Sequence, residues 1–146
     1  MLFRSLCANP QFVAIKESGG GNISQLSRLI HETELNVLSG EDALIFVNAC
    51  LGGQGAISAA AHLRPDLFQR MLQYVKDGEM TLARQLHYTL DPLIRLLFSE
   101  PNPAPLKAAL AMMGLIKDEL RLPMTPATLA CRNELEATLA ELMAIA

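Results

Sequence analysis

The chain has 146 residues, a net charge of −3 and a hydrophobic content of 51%, with a mean hydropathy of +0.25. That is one domain by size, long enough to bury a real core, and no uninterrupted apolar stretch approaches the roughly 18 residues a membrane span needs. Acids and bases are interspersed without a basic run or an arginine–aromatic stripe, which argues against nucleic acid as a partner.

The opening Met1-Leu2-Phe3-Arg4-Ser5-Leu6-Cys7 carries one positive charge and no cleavage-type tail, so it does not read as a signal peptide. A first strand is expected at Phe12–Ile15, where β-branched residues precede a glycine-rich break. The run ends at Lys16, followed by Glu17-Ser18-Gly19-Gly20-Gly21. In parallel α/β folds chemistry gathers at the carboxyl ends of strands. A lysine there is either a solvated rim charge, as most lysines are, or an amine that forms a Schiff base with a carbonyl substrate. Strand alternation sends Lys16 and Glu17 to opposite faces. The three glycines are not followed by a phosphate-loop pattern and read as backbone clearance beside the lysine.

Asn22, with Gln25 three residues on, predicts a capped helix start, and Ile23, Leu26, Leu29 and Ile30 form its apolar face. A second strand is expected at Asn36–Ser39, leading through Gly40 into a helix over about Glu41–Leu51 that Gly52-Gly53 stops. Gly55–Ala60 reads as a third buried strand. Alternating strands and helices with tight loops imply a parallel sheet.

From Arg64 onward the pattern is helical. Leu67, Phe68, Met71, Leu72 and Val75 make one stripe closed by Gly78, and Leu82, Leu86, Leu90, Leu93 and Leu97 make another, with a kink expected at Pro92. Alternating prolines predict an extended connection over Glu100–Pro105, a brace between helices. A helix over Leu106–Met113 ends at Gly114. Thr125-Pro126 is expected to open the last helix, with Leu129, Leu135, Leu139 and Leu142 buried. Cys7, Cys50 and Cys131 read as reduced, buried thiols of a cytosolic protein. His31, His62 and His87 have no ligand-like spacing to one another or to the cysteines, so no metal site is expected. Tyr74 and Tyr88 read as core or boundary residues, and Lys107 as a solvated helix charge.

Three blocks resemble the dihydrodipicolinate synthase family of class I pyruvate-dependent aldolases. Val13-Ala14-Ile15-Lys16-Glu17-Ser18-Gly19 resembles the family's sixth barrel strand and its Schiff-base lysine. Leu38-Ser39-Gly40-Glu41-Asp42 and Gly52-Gly53-Gln54-Gly55-Ala56-Ile57-Ser58 are similar to strands seven and eight. Glu100–Lys107, with Leu120–Pro126 behind it, is the block most specific to the synthase branch. The resemblance implies an α/β chain forming the C-terminal part of a (β/α)8 TIM barrel. Residues 1–60 would be the partial barrel, and residues 61–146 its last helix and a C-terminal helical region.

The implied chemistry is condensation of pyruvate with L-aspartate 4-semialdehyde, in lysine biosynthesis through diaminopimelate. Lys16 would be the nucleophile, Ile57 would bring its main chain to pyruvate, and Gly40 would leave room for it. Partial removal of water inside a barrel favours a neutral, nucleophilic amine. The resemblance further implies a cytoplasmic homo-oligomer, tetrameric in the family. Its proton-relay tyrosines and threonine, its carboxylate-binding hydroxyls and its second-substrate arginine lie on earlier strands without counterpart here. A start almost on top of the first strand suggests truncation, and hence an inactive fragment. A sister aldolase of the 4-hydroxy-2-oxoglutarate or N-acetylneuraminate type stays open, as does a non-catalytic α/β interaction fragment.

Overall fold

A computed structural model describes residues 2–145. They fall into two compact units: residues 2–58 with Arg70–Arg84, and Ala59–Gln69 with residues 85–145.

The first unit holds a three-stranded parallel sheet in the order β1-β2-β3. A short helix, α1 (Leu2–Cys7), precedes it and was not anticipated from the sequence. β1 spans Ala14–Glu17, two residues later than the expected Phe12–Ile15. Its partner sets that limit: β2 (Asn36–Ser39) lies opposite with Ala14 facing Asn36 and Glu17 facing Ser39. Phe12 and Val13 stay outside the strand and exposed, although Asn36 still reaches back to the Val13 carbonyl through both its main chain and its side chain.

α2 (Ile23–Glu32) begins where expected, and Asn22 Oδ1 accepts from Gln25 N at 3.0 Å. The reciprocal half of a capping box is missing, because the Gln25 amide is drawn instead to Glu17. Leu26 and Leu29 pack with Val37 in a small core, bordered by Phe3, Ile15 and Ile30, while Ile23 stays largely exposed. Between β2 and β3 a 3-10 turn (Asp42–Leu44) leads into α3 (Ile45–Cys50), replacing the single helix expected over Glu41–Leu51. Gly52 ends that helix with φ +100°, a conformation that costs glycine little. β3 is only Gly55–Ala56, not Gly55–Ala60. It finds partners at Leu38 and Ser39, beyond which β2 has ended, and the chain turns into a 3-10 segment at Ala60–His62.

α4 (Pro65–Lys76) and α5 (Met80–Leu97) contribute residues to both units. Leu67, Phe68 and Met71 of α4 are buried, as are Leu90, Leu93 and Leu97 of α5, but Leu82 is exposed. α5 continues unbroken through Pro92.

In the second unit α6 (Ala104–Met112) packs on α7 (Leu129–Met143). The Glu100–Pro105 segment is not extended throughout. Residues 101–103 form a turn, and Pro105 sits inside the first turn of α6. First-turn N–H groups have no intrahelical acceptor, so proline loses nothing there. α7 starts at Thr128, not Thr125. Thr128 Oγ1 accepts from Cys131 N, and Cys131, Leu135, Leu139 and Leu142 form the buried row. Leu129, expected in that row, is 73% exposed, because six residues before Leu135 it falls well off that face of a 3.6-residue helix, whereas Cys131, four residues before, lies on it.

Among the described residues no helix is long and apolar enough to cross a membrane. None of their His, Cys, Asp and Glu side chains form a group of three or more able to hold a metal.

Candidate active site

β1 delivers Lys16 to the open face of the sheet. Parallel pairing puts Lys16 beside Leu38, and Leu38 beside Gly55. With a side-chain period of two, Gly40 and Ile57 stand one pleat further along and on the same face. The three sequence-predicted residues are thus brought together at the carboxyl ends of three adjacent strands. Ile57 N donates to Ser39 O at 2.8 Å, which fixes its main chain just past β3. Lys16 is exposed rather than partly desolvated, because three strands wall one side of it and do not enclose it.

Glu17 faces the other way. It is buried, and its Oε1 accepts from Gly19 N at 2.8 Å and from Gln25 Nε2 at 3.0 Å. These bonds tie the glycine loop to α2 immediately after Lys16, so a buried carboxylate is held by two donors. Gly40 N donates to Glu17 O at 2.6 Å. A Cβ on Gly40 would stand 2.5 Å from Lys16 Cε and 2.9 Å from Glu17 O, and would overlap Ser18 Oγ. The chain needs glycine there for space.

Two amides that sequence reasoning passed over hold β3 in place. Asn48 is fully buried, and its Nδ2 donates to Gly55 O at 3.0 Å and to Val37 O at 3.4 Å. Its side chain also fills the space where a Cβ on Gly53 would be. Gln54 Oε1 accepts from Val37 N at 2.9 Å while its Nε2 donates to Gly52 O, so a side chain continues the ladder where β3 has not yet begun. The signal for Asn48 was available: a lone amide amid Ile45-Phe46-Val47 and Ala49-Cys50 needs a partner if buried.

The remaining candidates lie elsewhere. Tyr74 is half-buried on α4, and Tyr88 on α5 is 66% exposed rather than a core residue. His87 is half-buried beside Tyr88, with ring centroids 5.3 Å apart, while His62 is exposed with Nδ1 3.1 Å from Ala59 O. Cys7 is half-buried and Cys131 buried, but Cys50 is exposed, since it lies at the end of α3 beyond the helix's buried residues. Lys107 is not merely solvated, because its ammonium donates to the Glu119 carbonyl.

The family model described as the Dihydrodipicolinate synthetase family matches residues 2–142. A relative, the 4-hydroxy-tetrahydrodipicolinate synthase of Methanocaldococcus jannaschii, is 43% identical over 129 residues, covering 88% of this chain and 44% of its own length. A similar enzyme of that name from Thermodesulfovibrio yellowstonii is 43% identical over 121 residues, which are 82% of this chain and 41% of that one. The crystal structure of dihydrodipicolinate synthase from Thermotoga maritima superposes with a TM-score of 0.90 at 35% identity, over 95% of this chain and 48% of that one. The chain therefore spans about half the length of the relatives it matches, and its folded part is the corresponding stretch of a TIM barrel.

Proposed function

Because the chain belongs to the dihydrodipicolinate synthetase family, we propose that it carries the nucleophile-bearing wall of a lysine Schiff-base lyase. That lyase condenses pyruvate with L-aspartate 4-semialdehyde in the diaminopimelate route to lysine, without a cofactor, in a cytoplasmic homo-oligomer. The observation that carries the reading is the convergence of Lys16, Gly40 and Ile57 on one sheet face at three adjacent strand ends.

In this reading the Lys16 amine attacks the pyruvate ketone, and loss of water gives an iminium. The iminium draws electrons from the neighbouring methyl carbon, which sheds a proton. The enamine so formed attacks the aldehyde carbon. Gly40 keeps the space beside the lysine open, and the Ile57 main chain lines the far side of the bound 2-oxo acid. Both tyrosines of the chain stand on helices, α4 and α5, rather than at strand ends. The 146 residues alone therefore form the imine but turn over negligibly, because positioned acid–base groups contribute about 10²–10⁴-fold.

The test is reductive trapping with pyruvate followed by peptide mapping, on the native chain and on Lys16→Ala. The expected result is one pyruvyl adduct on the Lys16 peptide that disappears in the variant. Adducts spread evenly over Lys16, Lys76, Lys107 and Lys117 would overturn the assignment. Robust condensation by the pure chain would overturn its incompleteness.

A further inference from the structure

We propose that Ser18 is a second catalytic residue of the Lys16 site, a hydroxyl that relays a proton between the lysine nitrogen and the oxygen of a 2-oxo acid during imine formation. The proposal rests on the reading of Lys16 as the Schiff-base nucleophile and adds a partner to it.

Three observations carry it. Ser18 follows Lys16 by two residues, and both side chains pack against the same hydrogen of Gly40: a Cβ there would meet Lys16 Cε and Ser18 Oγ together. The missing side chain of Gly40 is what allows them to converge. The Ser18 hydroxyl is exposed and has no hydrogen-bond partner among the described residues, so its proton is not committed elsewhere. Ser39, the hydroxyl on the neighbouring strand, is buried and donates to Glu41 O at 2.9 Å, and the two tyrosines lie on helices.

The chemistry requires such a group. Attack forms the N–C bond and sends the carbonyl π pair to oxygen, leaving an extra proton on nitrogen and a negative charge on oxygen. Nitrogen and oxygen share one carbon, too close for a well-aligned direct transfer. Ser18 Oγ takes the nitrogen's proton as it gives its own to the oxygen, which leaves a neutral carbinolamine and an intact serine. In the second step Ser18 protonates the carbinolamine hydroxyl. That group departs as water with the C–O pair, the nitrogen lone pair forms C=N, and the serine regains a proton from solvent. A positioned proton donor and acceptor is a recognised source of rate.

The experiment follows the rate of adduct formation on the full 146-residue chain with pyruvate and saturating cyanoborohydride, so that imine formation limits. Ser18→Ala is expected to slow the Lys16 adduct about tenfold, less than the roughly 10²–10⁴-fold that enclosed acid–base groups contribute, because solvent can substitute on an open face. Ser18→Thr, which keeps the hydroxyl, should restore most of the rate. Raising the concentration of a weak-acid buffer should accelerate Ser18→Ala and leave the native chain nearly unchanged, a response that a packing defect would not give. An unchanged rate in Ser18→Ala, or a slowed rate that neither threonine nor buffer restores, overturns the relay while leaving Lys16 as nucleophile. Absence of any Lys16 adduct in the native chain overturns the nucleophile and the relay with it.

Discussion

At Gly40 a single methyl group would touch three parts of the site. Two of them, Lys16 Cε and Ser18 Oγ, belong to mobile ends of side chains, but the third is the Glu17 carbonyl. That carbonyl cannot retreat cheaply, because it accepts the Gly40 N–H at 2.6 Å. Gly40→Ala should therefore destabilise the chain by about 1–3 kcal/mol, the usual cost of forcing a group into filled space, and reduce trapping at Lys16 in the fraction that remains folded. Urea unfolding together with adduct mapping checks both, and an alanine variant as stable and as reactive as the native chain would contradict the packing argument. Gly20 differs in kind. It has φ +64° with open space around it, so its requirement is conformational and not spatial. The sequence showed the family pattern at Lys16, Gly40 and Ile57 and offered Asn48 as a lone amide in an apolar run, but not Gln54, whose role depends on a ladder to another strand.

The start of α7 shows how an element boundary is decided by tertiary bonds. Thr125-Pro126 has the composition of a helix start, yet the helix opens at Thr128. Glu100, on the connection before α6, accepts from Thr128 N at 3.0 Å and from the Thr128 hydroxyl. Thr128 Oγ1 in turn accepts from Cys131 N, so one carboxylate orients the cap that closes the first turn. No local pattern could reveal a partner 28 residues away. These bonds hold the Glu100 carboxyl below its ordinary range. A lowered carboxylate pKa contributes stability that is present above the unfolded value, about 4.3, and is lost as pH falls through the folded value. Glu100→Gln should thus be less stable than the native chain at neutral pH, and the gap should close on acidification. Denaturant unfolding of both chains across that range reads it, and a pH-independent gap would mean that charge plays no part. Thr128→Ala should cost about 1 kcal/mol, as loss of an N-cap usually does.

For the whole molecule, sequence and structure agree on a stretch of barrel wall, and the physical consequence lies in what that wall leaves open. Among the described residues β1 and β3 each pair with β2 alone, so both outer edges present unpaired main-chain groups. Next to them Phe12, Val13 and Ile57 are 48%, 66% and 53% exposed. Strand edges beside apolar side chains are templates for further pairing, and the 51% hydrophobic content adds to the same tendency. The pure 146-residue chain should therefore self-associate, increasingly so with concentration. Val13→Lys should weaken that association, because a charge next to an edge opposes strand addition. The change should leave the small core intact, since Val13 lies outside both β1 and the Leu26–Leu29–Val37 cluster. Sedimentation velocity over a dilution series distinguishes the outcomes. A monodisperse monomer at every concentration, melting in one cooperative transition, would mean that these edges are already protected and that the open face is not adhesive.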